Sequence, residues 1–150
     1  MDRNVRMATI VAFALAGCAI KQQVDPVAQP ISGELCVIEN PDVRAEFLDA
    51  YKGALQAKGF EVRVLPRSST LDDCRQISRY TANWQWDLAM YLKFADISIY
   101  VDGQRVGHAL YDSAAGPANP GKFISAENKV KELVDQLFPG PTKAAGETHP

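Results

Sequence analysis

The order of apolar and polar positions predicts a strand, a helix and a second strand in the first half of the chain. Residues 35–38 form an apolar run before Asn40, which is typical of a buried strand. Between positions 43 and 55 the apolar residues recur at helical spacing, and Asn40 and Gly59 supply a start and an end for a helix of about 18 residues. A second apolar run follows at 60–65. This order predicts a parallel crossover unit.

The stretch from residue 80 to 92 alternates between apolar and polar residues, which predicts a strand. Its apolar face carries Tyr80, Ala82, Trp84, Trp86, Leu88, Met90 and Leu92. Beyond Phe94 the apolar residues move to odd positions, so a turn or bulge is expected near residues 93–96, with a break at Asp87 as the alternative. Asp102 and Gly103 predict a two-residue hairpin turn before a return strand.

A second amphipathic helix is predicted from about residue 126 to 137, with Ser125 as its cap. The predicted fold class is therefore α/β (α+β). A five-stranded mixed sheet is expected, in which a β-α-β crossover is followed by an antiparallel meander, with two helices packed on one face. Residues 34–138 are expected to form a single globular domain, and residues 139–150 a disordered polar tail.

The N-terminus looks like a processing signal. Arg3 and Arg6 precede an uncharged apolar stretch at 7–16, which as a helix spans only about 15 Å, half the thickness of a bilayer core. Leu15-Ala16-Gly17-Cys18 resembles the lipobox of bacterial lipoprotein precursors. We therefore predict a signal peptide at 1–17, cleavage before Cys18 and lipidation of Cys18.

An acylated N-terminal cysteine would hold the protein at a membrane without a spanning helix. Ala19, rather than aspartate, follows Cys18, and by resemblance to known lipoprotein sorting this implies the outer membrane, with the domain facing the periplasm. Residues 18–33 contain Pro26 and Pro30 and show no periodicity. This segment is expected to be a flexible tether.

Charge and composition exclude several partners. The 150 residues are 47% hydrophobic and 23% charged, with a formal net charge of −2, so nothing favours a nucleic acid or an anionic lipid as an electrostatic partner. The segment 116–122 resembles a phosphate-binding loop. However, Phe123 stands where a magnesium-binding hydroxyl is needed, and two prolines remove backbone donors. No nucleotide and no cofactor is therefore expected.

Two cysteines remain once Cys18 carries lipid, namely Cys36 and Cys74. Because envelope compartments outside the cytoplasm oxidise thiols, we predict a disulfide between them, with two separate thiols as the alternative. Closing a loop of about 39 residues would contribute about 4 kcal/mol in the chain-entropy model. No metal site is expected, since only His108 and His149 could supply imidazole ligands.

The aromatic residues of the alternating segment have two interpretations. Trp84 and Trp86 are most simply core residues beneath the helices, and the opposite face is expected to display Asn83 and Gln85 with several tyrosines. The candidate binding surface consists of Trp84, Trp86, Tyr91, Tyr100 and Tyr111.

His108 is the one histidine of the predicted domain. It could form a dyad with Asp96 or Asp112, but the sequence contains no nucleophile elbow, so no catalytic residue is assigned.

Three segments resemble a family of small proteobacterial lipoproteins. They are Ile38-Glu39-Asn40-Pro41, Tyr80-Thr81-Ala82-Asn83-Trp84-Gln85-Trp86-Asp87, and Asp102-Gly103-Gln104-Arg105-Val106-Gly107 followed by Tyr111-Asp112. The resemblance implies a single lipid-anchored domain and carries no activity.

The functional hypothesis is a non-enzymatic envelope lipoprotein that binds another envelope protein as an accessory to an assembly. The alternatives are a cell-envelope hydrolase that uses His108, and a small carrier with an apolar pocket between helices and sheet.

Overall fold

A computed structural model describes residues 19–115 and 118–140. In this part of the chain six strands form one mixed sheet in the order β1-β6-β5-β4-β2-β3, accompanied by two α-helices. The elements are β1 (Lys21–Asp25), β2 (Glu34–Ile38), α1 (Ala45–Ala57), β3 (Glu61–Leu65), β4 (Gln76–Asp87), β5 (Ala89–Val101), β6 (Gln104–Asp112) and α2 (Ala126–Leu137), with short 3-10 turns at Ser113–Ala115 and Pro120–Phe123. The predicted mixed α+β class is confirmed, with one more strand than expected.

The additional strand lies where the sequence predicted a tether over residues 18–33. Strand β1 pairs antiparallel with β6, from Lys21 opposite Asp112 to Asp25 opposite His108. Val27 is buried, and its N–H donates to the carbonyl of Leu137 at 2.9 Å. The tether prediction is therefore wrong for this segment. An edge strand needs few apolar residues, so its polar sequence gave no period-two signal.

The predicted crossover is present, because β2 runs parallel to β3 and also to β4. Helix α1 begins later than predicted, since Asn40 caps a separate turn. The Asn40 side-chain oxygen accepts from the N–H of Asp42 at 3.1 Å, and its amide group donates to the carbonyl of Tyr80 at 3.2 Å. Asn40 thus ties the turn before α1 to strand β4.

Strands β4 and β5 form a long hairpin that breaks at Asp87, the position named as the alternative. Leu88 occupies the turn with φ +61°. A bulge also occurs near the expected position, because Trp84 pairs with Leu92 whereas Asn83 pairs with Phe94. The change of parity along the sequence therefore reflects a bulge at residue 93, five residues after the turn.

The main core lies between the two helices and one face of the sheet. Its fully buried large side chains include Leu35, Phe47, Tyr51, Leu55, Leu92, Ile97, Ile99, Tyr111, Leu133 and Leu137. Within it the hydroxyls of Tyr51 and Ser78 are 2.6 Å apart, which satisfies both buried groups and fixes α1 over β4. Burial raises the pKa of Tyr51. Ser125 accepts from the N–H of Asn128, as expected of the cap of α2.

A smaller cluster covers part of the opposite sheet face. Cys36, Ile38 and Ile77 are buried there beneath the segment 66–75, which contributes Leu71. A disulfide joins Cys36 to Cys74, with Cα atoms 6.3 Å apart, so the predicted pairing is confirmed. The disulfide holds the covering segment on the sheet.

A substitution at Gly107 tests whether the N-terminal segment packs on β6. A Cβ at this position would lie 2.7 Å from Cγ2 of Val27, a buried and conformationally stiff side chain. We predict that Gly107→Ala lowers the free energy of unfolding by about 1–3 kcal/mol in urea denaturation.

Gly53 in α1 is the matched control, because nothing lies within 4 Å of the Cβ it would gain. Gly53→Ala should raise stability by roughly 0.5–1 kcal/mol. Equal effects of the two substitutions would contradict the described position of Val27.

Candidate functional site: the helix-free sheet face and the hairpin tip

The predicted binding-surface residues lie in different environments. Tyr111 is fully buried, and Tyr91 is buried with its ring centroid 5.7 Å from that of Phe123. Trp84 is half-buried beside α1, and Tyr100 is half-buried on the helix-free side of the sheet. Trp86 is 67% exposed. The structure does not bring these side chains together on one surface, and the expectation that Trp86 lies in the core is wrong.

Tyr111 belongs to a buried polar cluster beneath α2. The ammonium of Lys129 lies 4.8 Å from the centre of the Tyr111 ring. It donates to Gln22 of β1 at 3.0 Å and to Glu132 at 2.8 Å. The Tyr111 hydroxyl is buried near the Ser113 hydroxyl, which donates to the carbonyls of Leu92 and Lys93. Burial raises the pKa of Tyr111.

This cluster connects β1 to α2. Gln22 also donates to Glu132 at 2.7 Å. Burial by itself would raise the pKa of Glu132, but the hydrogen bonds from Lys129 and Gln22 outweigh it, so the pKa lies below its ordinary value. The N-terminal strand is thereby held both to the sheet and to a helix.

The helix-free face is the sheet surface that neither α-helix covers, away from the segment 66–75. Residues paired across adjacent strands share a face, so the register defines its members. They include Thr81, Asn83 and Gln85 of β4, Phe94, Asp96, Ser98 and Tyr100 of β5, and His108 and Leu110 of β6, together with the charged residues Arg79, Arg105 and Asp112 and, opposite Gln85, the buried Tyr91. The β4 members are exposed, whereas Phe94, Tyr100 and Leu110 are half-buried. The face therefore combines amide, hydroxyl and charged groups with apolar area.

A histidine and a carboxylate lie in contact on this face. Nε2 of His108 is 2.9 Å from Oδ2 of Asp96, and both side chains are partly accessible. Ser98 lies directly across the ladder from His108, but no hydrogen bond joins them among the described residues. Of the two carboxylates considered from the sequence, Asp96 contacts the imidazole.

The second candidate surface is the tip of the β4–β5 hairpin. Trp86 pairs across the strands with Met90, and Leu88 lies in the turn between them. Leu88 is 89% exposed, Met90 46%, and the nearby Phe123 42%. These three hairpin residues, Trp86, Leu88 and Met90, are called the hairpin tip below. Exposed apolar side chains grouped in this way usually mark an interaction site.

A buried lysine contacts Asp87, the residue between Trp86 and Leu88 of the hairpin tip. Lys122, from the Pro120–Phe123 turn, is buried and donates to the carboxylate of Asp87. Its ammonium lies 5.1 Å from the ring centres of both Tyr91 and Phe123. This lysine belongs to the segment whose phosphate-loop resemblance was rejected, and residues 116–117 of that segment lie outside the described part. Here Lys122 stabilises the hairpin.

The remaining predictions concern the lipid anchor, the C-terminal tail and a metal site. Cys18, the signal peptide at 1–17 and residues 141–150 of the predicted tail lie outside the described residues. Within the described ranges no helix is long and apolar enough to cross a membrane. Glu34, Cys36 and Cys74 bring potential metal ligands within 4.8 Å of one another, but the disulfide occupies both sulfurs.

Sequence reasoning missed the two buried lysines, Lys122 and Lys129. Lysine is almost never buried without a partner, and two of the partners here, Asp87 of Lys122 and Gln22 of Lys129, are distant in sequence, whereas Glu132 lies three residues after Lys129. The position of Lys129, among the apolar residues of α2, was the available signal.

No protein-family model matches the sequence, and no curated protein matches it. Among solved structures, a single-substitution variant of the PelC dodecamer from Paraburkholderia phytofirmans is similar, with 13% identity and a TM-score of 0.52 over 79% of this chain and 98% of that chain. A second structure of the PelC dodecamer from that organism has 12% identity and a TM-score of 0.49, over 80% and 98% of the two chains. The first likeness shows a shared fold and does not assign a function.

The Glu132 cluster predicts a dependence of stability on pH. Because the folded-state pKa of Glu132 is lowered, its contribution is present above the ordinary glutamate pKa of about 4.3 and is lost as the pH falls through the folded value. Glu132→Gln should cost about 0.5–1 kcal/mol at pH 7, a figure discounted for solvent screening, and progressively less towards pH 3.

Urea denaturation at pH 7 and pH 3 measures this difference. Asp49→Asn, at an exposed position of α1, serves as control and should show no comparable trend. An effect of Glu132→Gln that stays constant between the two pH values would contradict the ion-paired cluster.

Proposed function

We propose that this chain is a non-enzymatic lipoprotein of the cell envelope, anchored to the outer membrane through Cys18, whose periplasm-facing domain is a binding module of a protein assembly. The observation that carries the proposal is the helix-free face. Two helices cover one side of the sheet, and on the other side Phe94, Tyr100 and Leu110 remain half-buried beside exposed amides. Aromatic and adaptable polar groups on a rigid sheet are suited to binding protein.

The first partner to test is a second copy of the chain. The similar solved fold is described as a dodecamer, which supports self-association as the form of assembly. Edge pairing of sheets is less suited to this role, because the edge strands β1 and β3 are each five residues long and carry charged residues, Lys21 and Asp25 in β1 and Glu61 and Arg63 in β3. The helix-free face is therefore the surface to perturb.

We predict that Thr81→Arg weakens self-association at least about tenfold, because it places a long charged side chain in the middle of the helix-free face. Thr81 is exposed, so the fold should be retained. Sedimentation velocity of the acylated protein in detergent measures the association, and cross-linking in the native envelope detects other protein partners.

Gln56→Arg, at an exposed position of α1, adds the same charge on the helical side and should leave association unchanged. A protein that stays monomeric at every concentration and cross-links to no partner would contradict the proposal. So would equal behaviour of the two variants.

A hydrolase is the second candidate, because the His108–Asp96 pair has the geometry of a base held by an acid. Because His108 lies on the helix-free face, the binding-module proposal predicts that any effect of His108→Ala on envelope integrity or cell-wall turnover appears together with weaker association. A phenotype equal to deletion of the gene, with unchanged protein level and association, would favour the hydrolase. The carrier alternative has less support, since Phe47, Tyr51 and Leu133 fill the space between helices and sheet.

A further inference from the structure

We infer that the hairpin tip, Trp86 with Leu88 and Met90, docks into the lipid surface to which the chain is anchored, so that the domain contacts the membrane at two points. The inference rests on the proposed anchoring through Cys18. It adds a second contact, a lipid-binding surface on the folded domain itself.

The segment that precedes β1 leaves the domain beside the β4–β5 hairpin. Ile20 lies next to Gly121, with its Cδ1 atom 3.6 Å from the position of a Cβ built on that glycine. The neighbouring Lys122 donates to Asp87, the residue before the tip turn. Ile20, two positions after Cys18, therefore lies close to the Pro120–Phe123 turn, and that turn contacts Asp87 next to the hairpin tip.

An anchor at Cys18 and the hairpin tip extend from the same end of the sheet over similar distances. Lys21, Asp112, Phe94 and Asn83 form one row across four strands. Beyond this row β4 continues for four residues to Asp87, which is about 13 Å at 3.3 Å per residue. Cys18 precedes Lys21 by three residues and can reach at most about 11 Å. An anchor at Cys18 and the hairpin tip can therefore meet the same surface.

The side chains of the hairpin tip are of the kinds found where membranes meet water. Its apolar side chains are held on a hairpin whose base is braced by a buried lysine, and the tip itself has no covering element among the described residues. Tryptophan is enriched where membranes meet water, because its ring is apolar and its N–H needs a polar partner. A water-exposed tip of this composition is suited to the interfacial region of a bilayer.

The opposite end of the sheet provides an internal comparison. The β5–β6 turn there carries Asp102 and Gly103 and is followed by the exposed residues Gln104 and Arg105. Of the two hairpin turns on β5, only the one beside the N-terminus is apolar. This asymmetry indicates that the apolar character belongs to the anchored end.

Tryptophan fluorescence tests the inference directly. The sequence contains two tryptophans, so Trp84→Phe leaves Trp86 as the sole emitter. The mature acylated protein is reconstituted into vesicles of phosphatidylethanolamine and phosphatidylglycerol whose acyl chains carry bromine. We expect a blue-shifted Trp86 emission and at least about a twofold loss of intensity relative to unbrominated vesicles.

The control carries the tryptophan at the other end of the sheet. In Trp84→Phe/Trp86→Phe/Gln104→Trp the same anchor is present, and emission should be unaffected by bromine. The ring centroids of Trp84 and Phe47 are 6.2 Å apart, so replacing Trp84 alters the packing of α1 on the sheet. The quenching of Trp86 is therefore also measured with Trp84 unchanged, as the difference in emission between the unsubstituted protein and Trp86→Phe.

The outcomes distinguish failure of the proposed membrane contact at the hairpin tip from failure of the proposed lipid anchor. A protein that floats with the vesicles while Trp86 is not quenched overturns the inference and leaves the anchor intact. A protein that carries no acyl chains and does not float contradicts the proposed anchor, and the inference fails with it. A blue shift that grows with protein concentration in the absence of vesicles shows that a second copy covers the tip, which also overturns the inference.

Discussion

The pairing of β1 with β6 is the interaction on which the placement of the domain depends. Five residues of backbone ladder, reinforced by the hydrogen bonds of Gln22 to Lys129 and Glu132, attach the N-terminal segment to both the sheet and α2. Without this strand, an anchor at Cys18 would hold the domain on a long flexible tether in any orientation. With it, the proposed anchor lies three residues from a fixed structural element, and in the proposed arrangement one end of the sheet faces the membrane.

The two faces of the sheet are covered to different extents, and the uncovered part is the surface that remains available for binding. The helices bury the face that carries Tyr80 and Ile97, whereas the disulfide-held segment 66–75 covers only the β2–β3 side of the other face. The surface left between that segment and β1 is formed by β4, β5 and β6. In the proposed orientation this helix-free face lies beside the membrane-directed hairpin tip, where a neighbouring molecule on the same membrane could contact it.

Local chemistry explains which parts of this fold could be predicted from the sequence. The Asp102-Gly103 turn, the Ser125 cap and the pairing of Cys36 with Cys74 each follow from residues that favour one local structure or one bond. Strand β1 could not be predicted, because a polar edge strand carries no apolar period. Trp86 followed the predicted alternation, but alternation does not reveal that β4 extends beyond the helices that would bury it. The helix-free face was partly anticipated through Asn83, Gln85 and Tyr100, whereas the burial of Tyr91 and Tyr111 depends on Phe123 and Lys129, which approach only in the folded chain.

The proposed anchored arrangement depends most on the covalent state of Cys18. Mass spectrometry of the N-terminal peptide, from protein isolated out of the envelope of a Gram-negative host, measures it directly. We predict a mature chain that begins at Cys18 and carries acyl chains on that residue. A chain that begins at any other residue, or an unmodified Cys18, would contradict the anchored arrangement and the orientation derived from it.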